Sequence, residues 1–456
     1  MGRSLIWLRA CAAAGGLLFS LSTWWVNVAA AADGDVAAGK ILFERQWKSR
    51  QNSDGIGDGL GPVFNARSCA ACHHQTAPGG GGKSEHNAQM LTVVAVAPNK
   101  EGVTPQQAQH LLTQIHPGFH NGPQVAVHRQ GTENDYAAYR ANLLAAPEEL
   151  PWPKASRTWP AGLTSRRLEQ SGMIQIGPLV LRVTERSTPA LFGAGQIDRV
   201  SDQTRRMLAA NQPSAMRGVV AGRFGWKGQT ADLASFVRGA CANELGLQSL
   251  NQAQPSDPTQ KNYQTKRVDM TKAEMRSMVN FVASLPAPPV DRTGADPESI
   301  RNGSAAFTRA GCAVCHTPDV DGAKAIYSDL LLHDMGATLA DATGLVLPGT
   351  PAFNSQPSPL TAYYGGPTAQ ETAATFARAW RTPPLWGVRD SAPYMHDGRA
   401  ATIEEAILLH SGQAQTSMSK FQDLTKKQQA ELVNFVRSLG AEPTEVNLAR
   451  NEPAGR

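Results

Sequence analysis

The sequence has little charge, few aromatic residues and very little cysteine. Charged residues make up 18% and aromatic residues 6% of the 456 positions, and there are 6 cysteines. The 43 basic and 38 acidic residues are interspersed without a Lys/Arg block, so a nucleic-acid partner is not indicated. After residue 32 there is no apolar run long enough to span a membrane. Hydrophobic residues nevertheless make up 41% of the chain, which permits a folded core and excludes wholesale disorder.

The first 32 residues differ from the rest of the chain. Arg3 and Arg9 precede an apolar run that ends in the four alanines 29–32, just before Asp33. A charged start, an apolar middle and small residues at a cleavage point are typical of a secretory signal peptide, which predicts export to the periplasm. The alternative is an uncleaved membrane anchor, because the apolar run is long.

Four of the cysteines form two Cys-x-x-Cys pairs, and a histidine follows each pair at once. The two runs are Cys69, Cys72 and His73, and Cys312, Cys315 and His316. This pattern signals haem c, in which two thiols bind the porphyrin as thioethers and the histidine ligates the iron. We therefore predict two covalently bound haem c groups. A redox dithiol or a zinc ion shared by all four thiolates is the weaker alternative, because a dithiol needs no histidine and the pairs lie far apart in the chain.

The chain also repeats the features that surround these runs. In each half an Arg-x-x-Pro loop and a glycine-containing turn follow the cysteines, and similar helical patterns close the halves at 271–285 and 425–439. Short helices are expected before the cysteines, around 39–43 and 303–307. The sequence thus predicts a mainly α fold of two tandem class I cytochrome c-like domains, with a small β-containing insertion in the first.

The domain boundaries follow from this repeat and from a proline-rich stretch between the halves. We predict a signal peptide at 1–32, an N-terminal haem domain at 33–288, a linker at 289–298, a C-terminal haem domain at 299–443 and a tail at 444–456. Within the insertion, a helix is expected from Thr104-Pro105 to about Ile115 and a hairpin at 174–183.

Further motifs carry a resemblance to a known family. They comprise Arg381-Thr-Pro-Pro-Leu, Tyr394-Met-His-Asp-Gly-Arg, and the segments 61–69, 223–227 and 243–246. Together with the haem runs they resemble the bacterial di-haem cytochrome c peroxidases and their methylamine-utilisation relatives. The chain is more closely similar to the di-haem oxidoreductase family, which is regarded as peroxidases and is sometimes labelled thiol oxidoreductase.

The resemblance implies that the C-terminal haem stores an electron. Its distal ligand in the peroxidases, usually a methionine, lies 14 residues after the turn histidine, which corresponds to His410 here. His316 and His410 are therefore the expected iron ligands, and replacing methionine by histidine predicts a lower potential. Met395 and Met418 are competing ligands, and a helix-surface position for His410 is the alternative.

The resemblance makes the N-terminal haem, with His73 as its proximal ligand, the reactive one. Trp226 matches a tryptophan that passes electrons between the haems. Glu244 matches, after a two-residue gap, a carboxylate that moves protons at peroxide. The alternatives are a core tryptophan and a surface glutamate. Phe236 departs from the family, because it stands where a distal glutamine is expected.

Three further sets of residues were considered for roles beside the haems. Sixth-ligand candidates for the N-terminal haem cannot be ranked from the sequence; they are His74, His86, His116, His120 and His128. The resemblance also implies a calcium ion between the domains, which Ser391 and the Pro393 carbonyl would fit, although Ser187 replaces the family's asparagine. Cys241 is interpreted first as a small core residue, and a reactive thiol is the second interpretation.

These features predict a periplasmic oxidoreductase of cytochrome c peroxidase type. Electrons would enter the C-terminal haem from a small donor protein such as a cytochrome or a cupredoxin, and a small oxidant, above all peroxide, would be reduced at the N-terminal haem. One alternative is a di-haem electron-transfer cytochrome without catalysis. Another is haem-based oxygen activation on an organic substrate. A membrane partner is expected only if the signal is not cleaved.

Overall fold

The computed structural model describes most of the chain between residues 35 and 440. The described residues are 35–49, 57–96, 103–145, 155–158, 173–176, 179–260, 263, 265, 267–341 and 369–440. The predicted signal peptide at 1–32 and the tail at 444–456 lie outside them. Among the described residues, none of the helices combines the length and apolar character needed to cross a membrane.

The described part is mainly α, as the sequence predicts. Its helices in chain order are α1 (35–44), α2 (Pro105–Ile115), α3 (Asn134–Ala145), α4 (Ala194–Arg199), α5 (Asp202–Asn211), α6 (Leu233–Leu245), α7 (Lys272–Ser284), α8 (Pro297–Ala310), α9 (Ala369–Arg378), α10 (Ile403–Leu408), α11 (Gln415–Gln422) and α12 (Lys426–Arg437).

The strands are short and lie mostly in the insertion. In chain order they are β1 (Val63–Phe64), β2 (Ala88–Val96), β3 (Gln124–Val127), β4 (Gln130–Gly131), β5 (Ala155–Thr158), β6 (Met173–Ile176), β7 (Leu179–Arg186), β8 (Leu332–Asp334) and β9 (Ala379–Arg381). One antiparallel sheet has five strands in the order β3-β2-β7-β6-β5, whereas β1 pairs with β4 and β8 pairs with β9.

The predicted hairpin at 174–183 is confirmed as the antiparallel pair β6–β7, in which Ile174 lies opposite Leu181. It forms part of the five-stranded sheet, so the insertion has more β structure than a single hairpin. The sheet and helices α2 and α3 enclose a core of their own, with Leu91, Ile115 and Leu181 among its buried side chains. This separate core means that the insertion is a folded unit and not a long loop.

Threonine caps fix where three predicted helices begin. Thr104, Thr271 and Thr425 each accept a hydrogen bond from the backbone N–H three residues later, and the Gln or Glu at that position bonds back to the threonine N–H. Such capping boxes satisfy backbone donors that the first turn leaves open. The predicted starts of α2, α7 and α12 are therefore confirmed.

The first and last helices of each half cross in the same way. A Cβ on Gly39 in α1 would lie 1.9 Å from the carbonyl oxygen of Ser277 in α7. A Cβ on Gly303 in α8 would lie 2.0 Å from the carbonyl oxygen of Glu431 in α12. Only glycine permits backbones to approach so closely. The sequence repeat therefore corresponds to a repeated helix crossing in three dimensions.

The two halves also share buried surface. The cluster that contains Phe43 of α1 and Phe281 of α7 extends to Ile326, Leu330 and Trp386 of the second half. A second cluster, which includes Phe307 and Phe435, packs α8 against α12. The surface where the two halves meet, called the seam below, is thus part of the hydrophobic core. The two cysteine motifs lie in different halves, one on each side of the seam.

Candidate haem sites

The two cysteine motifs adopt the same local turn. The backbone N–H of His73 donates to the carbonyl of Cys69, and the N–H of His316 donates to the carbonyl of Cys312, both at 2.9 Å. The imidazoles also have equivalent neighbours, because Phe43 and Phe307 each lie 6.4 Å, between ring centroids, from the motif histidine of their own half. A helical turn places two thiols three residues apart on one side, next to the imidazole, as haem attachment requires.

Each predicted iron-ligating histidine has one ring nitrogen held by a backbone carbonyl. Nδ1 lies 3.1 Å from the Gly80 oxygen in His73, 2.9 Å from the Tyr327 oxygen in His316, and 2.7 Å from the Ala406 oxygen in His410. Because a carbonyl can only accept, Nδ1 carries the proton and Nε2 keeps its lone pair. This is the arrangement that orients histidine ligands of metals.

Burial keeps these imidazoles neutral. It lowers the pKa of His73 and of His316 to about 4, and it also lowers the pKa of His410. Only a neutral imidazole can coordinate a metal. All three histidines therefore combine the tautomer and the protonation state of an iron ligand.

The C-terminal motif opens onto a cavity of about 310 Å³ at the seam of the two halves. His316 and His410 both line it, as do Met395 and Met418, the competing ligands. His410 follows the end of α10 by two residues, and its side chain is half-buried. An apolar cavity with a few convergent polar groups suits a large hydrophobic cofactor.

The residues present therefore fit haem c better than the alternatives. All five described cysteines, including the four of the motifs, are free thiols. In the part of the chain that the structure describes, the one cluster of three or more potential metal-ligating side chains comprises Cys315, Asp329 and His333. The four motif thiols do not converge, so a zinc ion shared by all four is not assembled.

That cluster is a buried charged network that the sequence did not reveal. The His333 Nε2 donates to the Asp329 carboxylate at 2.9 Å, and Nδ1 lies 3.7 Å from the Cys315 sulfur. Although burial opposes the charge on His333, Asp329 outweighs it and raises the pKa of His333 to about 10. Gln212 of the first half also donates to Asp329, at 2.7 Å. A charged imidazole thus lies beside the second haem-attachment cysteine.

Trp226 joins the two halves at the cavity, where its side chain forms part of the lining. Its Nε1 donates to the Ser187 oxygen at 2.9 Å, and its own carbonyl accepts from the Arg381 N–H at 2.9 Å. Trp226 thus contacts both halves and the C-terminal cavity.

A second tryptophan, Trp380, lies at the same seam but in a cationic environment. Its ring stacks on His396, with 3.6 Å between centroids, and the Lys227 Nζ lies 3.4 Å above it. The Lys227 Nζ donates to three backbone carbonyls, those of residues 376, 377 and 379. Burial lowers the pKa of Lys227 well below its ordinary value, whereas the three carbonyl acceptors match the three N–H groups of the ammonium form. The sequence analysis predicted no role for Trp380 or Lys227.

Glu244 lies beside the first motif at the end of α6. Asn65 donates to its Oε2 at 2.6 Å, and burial raises the pKa of Glu244. Burial first, and then the charge of Glu244, raise the pKa of Cys72 to about 11, which places this carboxylate near the first haem-attachment thiols. The side chain of Glu244 is half-buried. Phe236, on the same helix, lines the cavity and stacks on Phe224 at 5.5 Å.

The five sixth-ligand candidates do not line the cavity. His74 and His120 are exposed, whereas His86 is half-buried, with its ring 5.2 Å from that of His74. His116 and His128 are buried within the insertion, and burial lowers the pKa of His116 to about 3 and of His128 to about 4. Burial first, and then the nearby His74 and His86, lower the pKa of His73, so these two candidates lie near the N-terminal motif for which they were predicted.

The remaining predicted residues have simple surroundings. The Ser187 hydroxyl donates to the Met395 carbonyl at 3.0 Å, and the Ser391 hydroxyl donates to the Gly387 carbonyl at 3.1 Å. These two hydroxyls thus bond to backbone and do not converge on one point, so no step is assigned to calcium. Cys241 is buried, and burial raises its pKa to about 12, which leaves an inert core thiol.

Comparison with known proteins supports the geometry. Residues 368–439, which contain the turn histidine His396 and His410, match the family described as di-haem oxidoreductase, putative peroxidase. The resemblance to this family is confirmed. The methylamine utilization protein MauG of Methylorubrum extorquens is 28% identical over 172 residues, which cover 35% of this chain and 41% of MauG. The chain thus aligns with less than half of that relative.

Two solved structures are weakly similar. The hydrazine synthase of Kuenenia stuttgartiensis, pressurised with xenon, gives a TM-score of 0.33 at 18% identity, over 56% of this chain and 73% of the other. A MauG-like protein associated with microbial copper homeostasis gives 0.25 at 20% identity, over 37% of this chain and 52% of the other. At such low TM-scores these likenesses do not define the fold.

Proposed function

We propose that this chain is a di-haem c-type oxidoreductase built from two cytochrome c-like domains, at 33–288 and 299–443. The support is the repeated unit: a glycine-mediated crossing of first and last helices, and a Cys-x-x-Cys-His turn beside a phenylalanine. Cys69 and Cys72 would attach one haem, and Cys312 and Cys315 the other. The haem irons supply the electron storage and the oxidant-binding position.

The observation that carries the proposal is the state of the three histidines. His73, His316 and His410 each donate Nδ1–H to a carbonyl and keep Nε2 available for iron. The C-terminal cavity has two such histidines, His316 and His410, which would complete the coordination of its iron. His73 does not line this cavity, and the family resemblance makes its haem the reactive one.

Electrons would pass between the haems by way of Trp226. A tryptophan that gives up an electron becomes positively charged, and a nearby cation opposes this. The Arg186 guanidinium lies 5.1 Å from the ring of Trp380, and the Lys227 Nζ lies 3.4 Å from it. Trp226 instead donates its N–H to the Ser187 carbonyl, which favours oxidation. Of the two seam tryptophans, Trp226 is the better relay.

Glu244 would move protons at the N-terminal haem. Reduction of peroxide to two waters consumes two electrons and two protons, so a proton-carrying group must lie nearby. Burial raises the pKa of Glu244, so this carboxyl holds its proton to a higher pH than an exposed one. The Asn65 amide, which donates at 2.6 Å, fixes the position of Oε2.

The partners of the proposed reaction are a small electron-donor protein, such as a cytochrome or a cupredoxin, and a small oxidant, with peroxide the leading one. We place the protein in the periplasm because haem c attachment and the predicted signal at 1–32 both belong to exported proteins. No role in the mechanism is proposed for calcium.

One experiment separates this function from a cytochrome that only transfers electrons. The purified exported protein is assayed for two haem c groups, half-reduced without oxygen and examined by electron paramagnetic resonance. A high-spin ferric signal that is displaced by cyanide is expected from the N-terminal haem. Two low-spin haems in every redox state, with no cyanide binding, would refute the catalytic role. A product without haem would refute the proposal as a whole.

A further inference from the structure

Three arginines at the seam of the two halves differ in what compensates their charge. Arg205 donates to Asp202 at 2.6 Å, and Arg223 donates to the same carboxylate at 3.2 Å. Arg381 instead donates to two backbone carbonyls, from Nε to Gly225 at 2.9 Å and from Nη1 to residue 382 at 3.4 Å. Within the described residues its Nη2 has no hydrogen-bond partner, and no carboxylate contacts the guanidinium.

A guanidinium in this position needs an anion. Burial is the main reason why the pKa of Arg381 falls to about 10, yet the group stays charged at neutral pH. Two carbonyls are dipoles and do not neutralise a full charge. The nearest acid along the seam, Asp329, is already bonded to His333 and Gln212. The protein therefore supplies no counter-ion for Arg381 in its described part.

The position of Arg381 relates it to the C-terminal site. Its side chain lines the cavity that His316 and His410 also line. The carbonyl of Thr382, which accepts from the Arg381 Nη1, also accepts from the Ser328 hydroxyl at 2.7 Å. Ser328 directly follows Tyr327, whose carbonyl holds His316. The same short loop thus positions both the guanidinium and the proximal imidazole.

We infer that Arg381 binds a propionate carboxylate of the C-terminal haem. This inference rests on the proposed function, since it requires haem c at His316. Haem carries two propionates, and a guanidinium recognises a carboxylate through paired N–H donors, which Nη1 and Nη2 can provide. The pair would neutralise both charges inside the cavity and fix the rotation of the macrocycle against the seam.

The test compares Arg381→Gln and Arg381→Lys with Arg223→Gln. Arg223 is a matched control, because it lines the same cavity but has Asp202 as its counter-ion. Haem content is measured first, then the midpoint potential of each haem by spectroelectrochemistry and the propionate bending bands by resonance Raman spectroscopy. With a cation lost beside a carboxylate, Arg381→Gln should lower the potential of the C-terminal haem and shift one propionate band. Arg381→Lys should restore part of both changes.

Each outcome decides a different statement. This inference alone would be overturned if the natural protein holds two haems and Arg381→Gln has the same haem potentials and propionate bands as Arg223→Gln. A natural protein without the C-terminal haem would overturn the proposed function. The same guanidinium could bind a free carboxylate, and acetate tests this. If acetate changes the spectrum of the natural protein but not of Arg381→Gln, and the propionate bands do not move, the ligand is a soluble carboxylate. The propionate assignment is then wrong.

Discussion

Asp329→Asn should destabilise the protein in a way that depends on pH. Asp329 and His333 are buried, with 0% and 3% of their surface exposed, and their ion pair of 2.9 Å has no solvent to screen it. Asp329 also accepts from Gln212 of the first half and from the Leu331 N–H. The substitution leaves the shape of the side chain almost unchanged, but it removes the charge on which the His333 cation depends.

The size of the effect follows from the pKa of His333. Asp329, with a smaller contribution from the Cys315 thiol, raises this pKa from 6.5 to about 10 against the effect of burial, so the pair stabilises the folded state fully below pH 6.5 and loses that contribution as the pH rises through 10. Each unit of pKa is worth about 1.4 kcal/mol, which sets an upper limit of about 5 kcal/mol. Breaking a buried ion pair costs about 3–5 kcal/mol, which agrees with that limit. Because Asp329 has a lowered pKa, its own contribution is lost only in acid.

The assay is denaturant unfolding of the haem-loaded protein, followed by circular dichroism at pH 6, 8 and 9.5. The free energy of unfolding of Asp329→Asn should fall furthest below that of the natural protein at pH 6, and the difference should shrink toward pH 10. Asp319→Asn is the control, because its 2.8 Å pair with Lys324 is on the surface and should contribute less than about 1 kcal/mol. Equal losses at pH 6 and pH 9.5 would show that His333 is not held as a cation by Asp329.

Four further variants test the site and the fold. His410→Gly should convert the C-terminal haem to high spin and leave the N-terminal spectrum unchanged, with added imidazole restoring it; a change in both haems would contradict the assignment. Glu244→Gln should slow peroxide turnover about 10²-fold or more with both haem spectra intact, and unchanged turnover would remove Glu244 from the mechanism. Gly303→Ala should lower the free energy of unfolding by about 1–3 kcal/mol or more, because its methyl group would meet the Glu431 carbonyl at 2.0 Å. Gly239→Ala, in α6 with nothing within 4 Å, should instead raise it by about 0.5–1 kcal/mol, and two equal effects would refute the close-approach argument.

Features that depend on neighbours in the sequence were predicted well. Thr271 and Thr425 marked the starts of the closing helices because a capping box is made within four residues. The haem motifs were readable for the same reason, since one helical turn brings two cysteines and a histidine together. His410 was placed only through the family resemblance, at a distance of 14 residues from His396, and the structure places it in the cavity with His316.

Features that depend on distant segments were missed. The hairpin at 174–183 was recognised, but its pairing with β2, which precedes it by about 80 residues, could not be read from local alternation. Asp329 and His333 lie in a loop and a short strand with no recognisable motif, and their bond to Gln212 crosses more than a hundred residues. No local pattern marks Lys227, because the three carbonyls that accept from its Nζ belong to a segment about 150 residues later.

The buried cations of the seam show why the long-range part of the fold matters for function. His333 is compensated by the carboxylate of Asp329, whereas burial lowers the pKa of Lys227 well below its ordinary value, so that Lys227 can lose its charge. Arg381 has no such compensation in the described chain, and a fold gains no stability from a charge in that state. A sequence keeps such a residue at a cost to stability only where another molecule supplies the missing charge. For a cavity that also presents the imidazoles of His316 and His410, a haem carboxylate meets that need.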